Sequence, residues 1–193
     1  MDPEKFWQLI DASRQSDLVP QSEQLAVALK TLTLPEIIGF DQRYHCLVMA
    51  VTTGDLYGAG SLINGRSLSD DSFEYFGNWL VAQGRTVYED ALIEADTLAA
   101  LPEVDELEAW DEDVAGTAYD VYKAKTGDNI YEQQWKCNIA ENNIDKRQLQ
   151  FKFNIMEIDI IPRIKFDCRD YCAEAFLKNR FPYLWKIYGI RYK

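Results

Sequence analysis

Apolar residues along most of this chain recur with the helical period. Behind Asp2-Pro3-Glu4, Phe6, Trp7 and Ile10 share one face. Those first three residues supply an N-cap, a proline at the first helical position and an acid near the positive end of the helix dipole. Leu25, Leu29 and Leu32 repeat at helical spacing behind Ser22, the expected cap of a second helix. Thr33-Leu34-Pro35-Glu36 has the form of a capping box. Ile37, Phe40, Tyr44, Leu47, Val48 and Val51 then follow an i, i+3, i+4, i+7 template that no strand can satisfy. Leu56, Ala59, Leu62 and Ile63 predict a short helix closed by the turn pair Asn64-Gly65. Ser69-Asp70-Asp71 opens another, with Phe73, Phe76, Trp79 and Leu80 inside and Gly84 at its end. Tyr88, Ala91, Leu92 and Ala95 continue in the next, and Val114, Ala118, Val121 and Tyr122 form a further helix ended by Gly127.

The period changes after Asp128. Leu149, Phe151, Phe153 and Ile155 alternate with polar residues, then Ile158 and Ile160 alternate in the opposite phase, with Pro162 beyond them. A small antiparallel β element near residues 131–166, with a bulge or turn at the phase shift, is expected. From residue 167 to 193 the helical pattern returns, through Tyr171, Ala175 and Phe176 to the aromatic segment Phe181, Leu184, Trp185 and Tyr188. The expected fold is mainly α: a single-domain helical bundle over 1–193, with a helical core in 1–127, a strand-containing elaboration in 128–166 and a C-terminal segment that rejoins the core.

The residues Leu62-Ile63-Asn64-Gly65, Ser69 through Phe76, Trp79-Leu80, Gly84-Arg85 and Tyr88-Glu89 resemble the hallmark of a bacterial family, domain of unknown function 4240. Phe6-Trp7 with Ile10-Asp11, Ile37 through Asp41 and Arg180 through Trp185 extend the resemblance to about 1–127 plus the C-terminal tail. Three features depart from the pattern: the loop between Gly65 and Ser69 is one residue longer, Ser72 stands where glycine is common, and Gly77 where arginine is frequent. The resemblance implies a mostly helical fold and no assigned activity.

Charge narrows the partners. The 193 residues carry a net charge of −12, which disfavours nucleic acid and anionic membranes and leaves basic proteins eligible. Residues 1–127 hold 8 Lys and Arg against 23 Asp and Glu, and residues 128–193 hold 12 against 9, so a part at −15 precedes one at +3. From Glu94 to Asp120 there is no Lys or Arg among ten acids: Glu94, Asp96, Glu103, Asp105, Glu106, Glu108, Asp111, Glu112, Asp113 and Asp120. Such a field steers a cationic partner, or serves only as a solvated surface. No stretch approaches a membrane span and Met1 through Trp7 lack the form of a signal peptide, so a cytoplasmic location with unpaired thiols is expected.

Chemistry-bearing patterns are few. Asp70-Asp71 behind Asn64-Gly65 has the carboxylates of a cation or catalytic site, yet the same residues suit a helix N-terminus. Asp41, Asn64, Arg85 and Tyr88, with Arg43, are the residues that would complete a polar cleft with that pair, or orient helices through a buried ion pair. His45 is the only histidine, and neighbouring Cys46 points about 100° away from it on a helix, so neither an imidazole metal site nor a Cys–His dyad is expected. Cys168 and Cys172 lack the Cys-x-x-Cys spacing of redox and zinc motifs, and no phosphate-binding glycine loop is present. No cofactor or metal is expected. The leading expectation is a non-enzymatic interaction protein, an immunity or antitoxin-like factor that neutralises a toxin domain through its acidic surface. The alternatives are an enzyme with a carboxylate-lined pocket at Asp70 and Asp71, and a regulatory or scaffolding module that self-associates through an exposed edge of the 148–161 strands.

Overall fold

A computed structural model describes residues 1–16, 18–105, 109–132 and 168–192. The protein is mainly helical, and no strand occurs among the described residues. The expected β element is met by helical backbone at Tyr131 and Glu132, while its remainder, 133–166, lies outside the described residues. The chain divides into two compact units: Met1–Cys46 with Asp113–Ile160, and Leu47–Glu112 with Ile161–Lys193.

The first unit contains α1 (Pro3–Ala12), α2 (Gln21–Lys30), the start of α3 (Leu34–Ala50) and α7 (Asp113–Thr126). Asp2 caps α1 by accepting from the Lys5 amide at 3.0 Å. The face of Phe6, Trp7 and Ile10 is buried, and the Phe6 ring meets Trp7 at 5.1 Å and Phe40 at 4.8 Å between centroids. Burying each such side chain stabilises the fold by about 1.5–3 kcal/mol. α2 packs on α1 and α7. Its N-cap is Pro20, with no side-chain bond, in place of the expected Ser22. Proline's fixed φ suits a helix entrance whatever the neighbouring hydroxyl does. At α3 the capping box is closed from one side: the Glu36 carboxylate accepts from the Thr33 amide at 2.9 Å and from its hydroxyl at 2.6 Å. Lys5 Nζ lies 2.5 Å from the other Glu36 oxygen. Ile37, Phe40, Tyr44, Leu47, Val48 and Val51 are all buried, as the period of α3 requires. On α7, Val114, Ala118, Val121 and Tyr122 are buried, and Gly127 follows with the positive φ of 77° that favours glycine.

The second unit contains α4 (Gly54–Ile63), α5 (Asp70–Ala82), α6 (Arg85–Ile93), a 3-10 helix Ala95–Ala100, a 3-10 turn Cys168–Tyr171, α8 (Glu174–Arg180) and α9 (Pro182–Tyr188). Every residue of α4 from Leu56 to Ile63 is buried. Close packing around it depends on glycine: a Cβ on Gly54 would overlap the Tyr171 ring, and one on Gly58 would sit 2.9 Å from the Phe181 ring. The aromatic segment anticipated at the C-terminus is this packing partner, with Leu177, Phe181, Leu184 and Tyr188 buried. Among the described residues no single helix is long and apolar enough to cross a membrane.

Glu36 generates a test of the first unit. Its hydrogen bond from Lys5, then those from Thr33, hold its carboxyl down to about 2 from an ordinary 4.5. A depressed folded-state value means stabilisation that is complete above the unfolded value and lost as pH falls from about 4.5 toward 2. Glu36→Gln is therefore expected to lower the urea midpoint at pH 7, with the gap to the parent protein closing as unfolding is repeated at pH 4, 3 and 2. A gap that stays constant with pH contradicts this assignment.

Candidate functional site

Among the residues with chemical potential, the acidic run separates into two structural classes. Its first members are engaged inside the second unit. α9 begins with Pro182, which has no amide hydrogen, and its N-cap Phe181 has no side-chain acceptor. The need is met from far along the chain. The Asp96 carboxylate, only 7% exposed, accepts from the Tyr183 amide at 3.0 Å and the Leu184 amide at 2.8 Å, at the positive end of the helix. Arg180 bridges two more acids, with Nη1 2.8 Å from Glu94 Oε1 and Nη2 2.8 Å from Asp55 Oδ2. The hydrogen bond from Arg180 lowers the Glu94 carboxyl, and that to Asp55, followed by that to Glu94, raises the guanidinium. Glu103 pairs with Arg191, whose Nη1 also donates to the Val104 carbonyl at 2.8 Å. Glu94, Asp96, Glu103 and Arg180 border an open groove of about 980 Å³, where Tyr183 and Lys186 also stand. Its Asp96, Glu94, Glu103 and Arg180 are thus occupied with holding α8 and α9.

The remaining acids stand elsewhere. Asp105 is exposed, and Glu106 and Glu108 lie outside the described residues. Asp113 and Asp120 are exposed on α7, in the first unit. Asp111 and Glu112 belong to a turn that docks on α5, the Asp111 amide donating to the Tyr75 carbonyl at 3.2 Å. Beside it Trp110 stacks on Tyr75, with centroids 4.3 Å apart and planes at 25°. Glu112 accepts from the Trp110 indole N–H at 3.3 Å. The nearby Glu112 carboxylate, chiefly through its charge, raises the Tyr75 phenol above its ordinary 10, with Asp71 and Glu74 adding to the rise.

The local sequence explains why these acids face outward. Ser69 caps α5, its hydroxyl accepting from the Ser72 amide at 3.2 Å. Asp70 and Asp71 occupy the first turn without being needed as caps. Asp71, Glu74 and Tyr75 are three and four residues apart and share a helix face. Asp70, Asp71, Glu74 and Glu112 are exposed, and among the described residues no lysine or arginine pairs with them.

The other expected polar residues do not join Asp70 and Asp71. Asn64 is buried, its amide donating to the Gly60 carbonyl at 2.9 Å and the Ala109 carbonyl at 3.4 Å. Tyr88 is buried and donates to the Leu47 carbonyl at 2.8 Å. Arg85 lies 2.7 Å from Glu89 one turn along. Among the described residues no hydrogen bond or ion pair links any of them to Asp70 or Asp71. Asp41 belongs to the first unit, 1% exposed, with Oδ1 3.6 Å from His45 Nε2. The Tyr131 hydroxyl approaches that same nitrogen at 3.5 Å. Arg43 donates to the Met1 carbonyl at 2.8 Å. Burial raises the Cys46 thiol, which keeps it protonated at neutral pH. Cys172 Sγ lies 3.2 Å from Ser67 Oγ, and the Cys168 side chain lies outside the described residues. Among the described residues no group of three or more His, Cys, Asp or Glu side chains is arranged to hold a metal ion.

Arg180, Asp55 and Arg191 were missed as ionic partners because each joins a group far away in the chain. The Tyr75–Trp110 pair had one visible signal, a tryptophan inside an otherwise acidic run.

Comparison with known proteins gives one match: a family model described as a protein of unknown function (DUF4240) covers residues 1–132. No curated protein and no solved structure matches the chain.

Two outcomes follow from this geometry. Asp96→Ala leaves two helix-terminal amides without their acceptor and is expected to cost about 2–3 kcal/mol in urea unfolding, with Asp96→Asn costing less. An alanine variant within about 0.5 kcal/mol of the parent contradicts the capping role. In a 13C-tyrosine titration, Tyr75 is expected to deprotonate above the ordinary tyrosine value, and Glu112→Gln to bring it down.

Proposed function

We propose that this chain, which belongs to the DUF4240 family of proteins of unknown function, is a non-enzymatic interaction factor that neutralises a basic protein partner, as a bacterial immunity or antitoxin-like protein does in the cytoplasm. The observation that carries the proposal is the set of exposed carboxylates, Asp70, Asp71, Glu74 and Glu112, gathered about the Tyr75–Trp110 stack with no cation of the chain among the described residues to balance them. A net charge of −12 adds a long-range attraction for a cationic surface. The acids from Glu94 to Glu103 contribute less to such capture than their density in the sequence implies, since arginines and helix amides already engage them. A toxin whose active cleft is basic, as a cleft for phosphate-bearing substrates is, matches this surface by charge.

The enzyme reading draws less support. Among the described residues, Asp70 and Asp71 have neither Arg85, Asn64 nor Tyr88 as a partner.

The test is capture from host lysate by the tagged protein at low and high salt, compared with a variant carrying Asp71→Lys, Glu74→Lys and Glu112→Lys. One stoichiometric basic protein, released by salt and reduced at least about tenfold in recovery by the three reversals, is expected. A control with Glu23→Lys and Asp120→Lys in the first unit is expected to retain it. Capture that survives the reversals in α5 and at Glu112, or no salt-sensitive partner at all, overturns the proposal.

A further inference from the structure

The surface carries more specificity than charge alone, and we infer that the Tyr75–Trp110 stack is a seat for an arginine side chain of the partner, in preference to lysine. The inference rests on the interaction reading just given. Three observations lead to it. The ring pair is only partly buried, although each residue offers a large aromatic surface of the kind that usually fills a core. It is also held in place before any partner arrives: the Trp110 indole N–H is bound by Glu112, and the Asp111 amide fixes the turn to the Tyr75 carbonyl. Finally, cations of this chain lie over other rings, Lys123 over Tyr119, Arg180 over Phe181 and Arg191 over Tyr188, while among the described residues none lies over Tyr75 or Trp110.

An anchored aromatic stack rimmed by the carboxylates of Asp71, Glu74 and Glu112 has two complementary features for a guanidinium. Its planar face stacks on the rings, with the ring quadrupole favouring the positive charge, while its edge N–H groups donate in a fork to a carboxylate. An ammonium group is satisfied by the carboxylates but has no flat face to stack. The rings therefore discriminate, and the acids attract. Tryptophan, tyrosine and arginine are also the residue types that concentrate binding energy at interfaces, which suits a small rigid anchor surrounded by weaker contacts. Tyr75 and Trp110 are the positioning and stacking groups, and Glu112 serves both as the clamp on Trp110 and as the acceptor at the edge of the stack.

The experiment uses the full chain and two N-acetylated octapeptides, one alternating arginine with glycine and the other lysine with glycine. Binding is read by isothermal titration calorimetry, and the indole N–H resonance of Trp110, assigned through Trp110→Phe, reports whether the peptide reaches the stack in the parent protein. The arginine peptide is expected to bind about fivefold more tightly than the lysine peptide and to shift the Trp110 resonance, from a cation–π advantage of about 1 kcal/mol. Trp110→Ala is expected to bring the two peptides level. Glu112→Gln, which leaves both rings in place, is expected to weaken the arginine peptide and keeps the test decisive if the alanine variant unfolds. Equal binding of the two peptides by the parent protein, or a preference that survives Trp110→Ala, overturns the arginine seat while leaving a salt-sensitive basic partner intact. Absence of binding by both peptides at low salt overturns the inference together with the reading beneath it.

Discussion

Asp96 is the group on which the second unit turns. Its carboxylate lies almost wholly out of water, a placement that is costly unless the charge is answered nearby. Two amides at the start of α9 answer it, and in return α9 gains the acceptor that neither Phe181 nor Pro182 supplies. Around this contact the Arg180 bridge to Asp55 and Glu94 and the Arg191 bond to the Val104 carbonyl bring residues from α4, from the loop after α6 and from the C-terminal segment together. Exposed ion pairs contribute little singly, about 0.2–1 kcal/mol each. Their role here is to fix which way α8 and α9 lie while Leu177, Phe181, Leu184 and Tyr188 provide the buried area.

Seen electrostatically, one run of acids performs two different tasks. Carboxylates from Glu94 to Glu103 meet arginines or amides and lose their long-range influence as they do so. Glu112, with Asp71 and Glu74 from α5, remains uncompensated beside two aromatic rings. Density of charge in a sequence is therefore a poor measure of charge offered to a partner; what matters is whether an internal cation reaches it first.

The helices were legible to the degree that their signals are local. The period of α3 named the apolar residues it buries, Ile37, Phe40, Tyr44, Leu47 and Val48, the Asp2 and Ser69 caps bond as their positions require, and Gly65, Gly84 and Gly127 take the positive φ that helix ends use. Signals failed where partners lie far apart in the chain. The 3-10 helix Ala95–Ala100 has no full helical period to display, and Asp96 within it read as surface because the amides it binds are 87 and 88 residues away. Ser22 read as a cap because its hydroxyl has the right chemistry, whereas Pro20 set the entrance of α2 through its backbone. The stack of Tyr75 on Trp110 was equally hidden, since the acids of the run were visible and the helix face they adjoin was not.

Both compact units are made of two separated stretches of chain, and this has a consequence for how the protein is born. On a ribosome, Asp55, Glu94 and Asp96 emerge well before Arg180 and the amides of α9 that will answer them. Elongation at about 5–20 residues per second makes that interval on the order of seconds to tens of seconds. During it the apolar sides of α4 and the glycine positions awaiting Tyr171 and Phe181 are uncovered. The nascent chain then still lacks Arg180 and the amides of α9, the groups that will answer Asp55, Glu94 and Asp96.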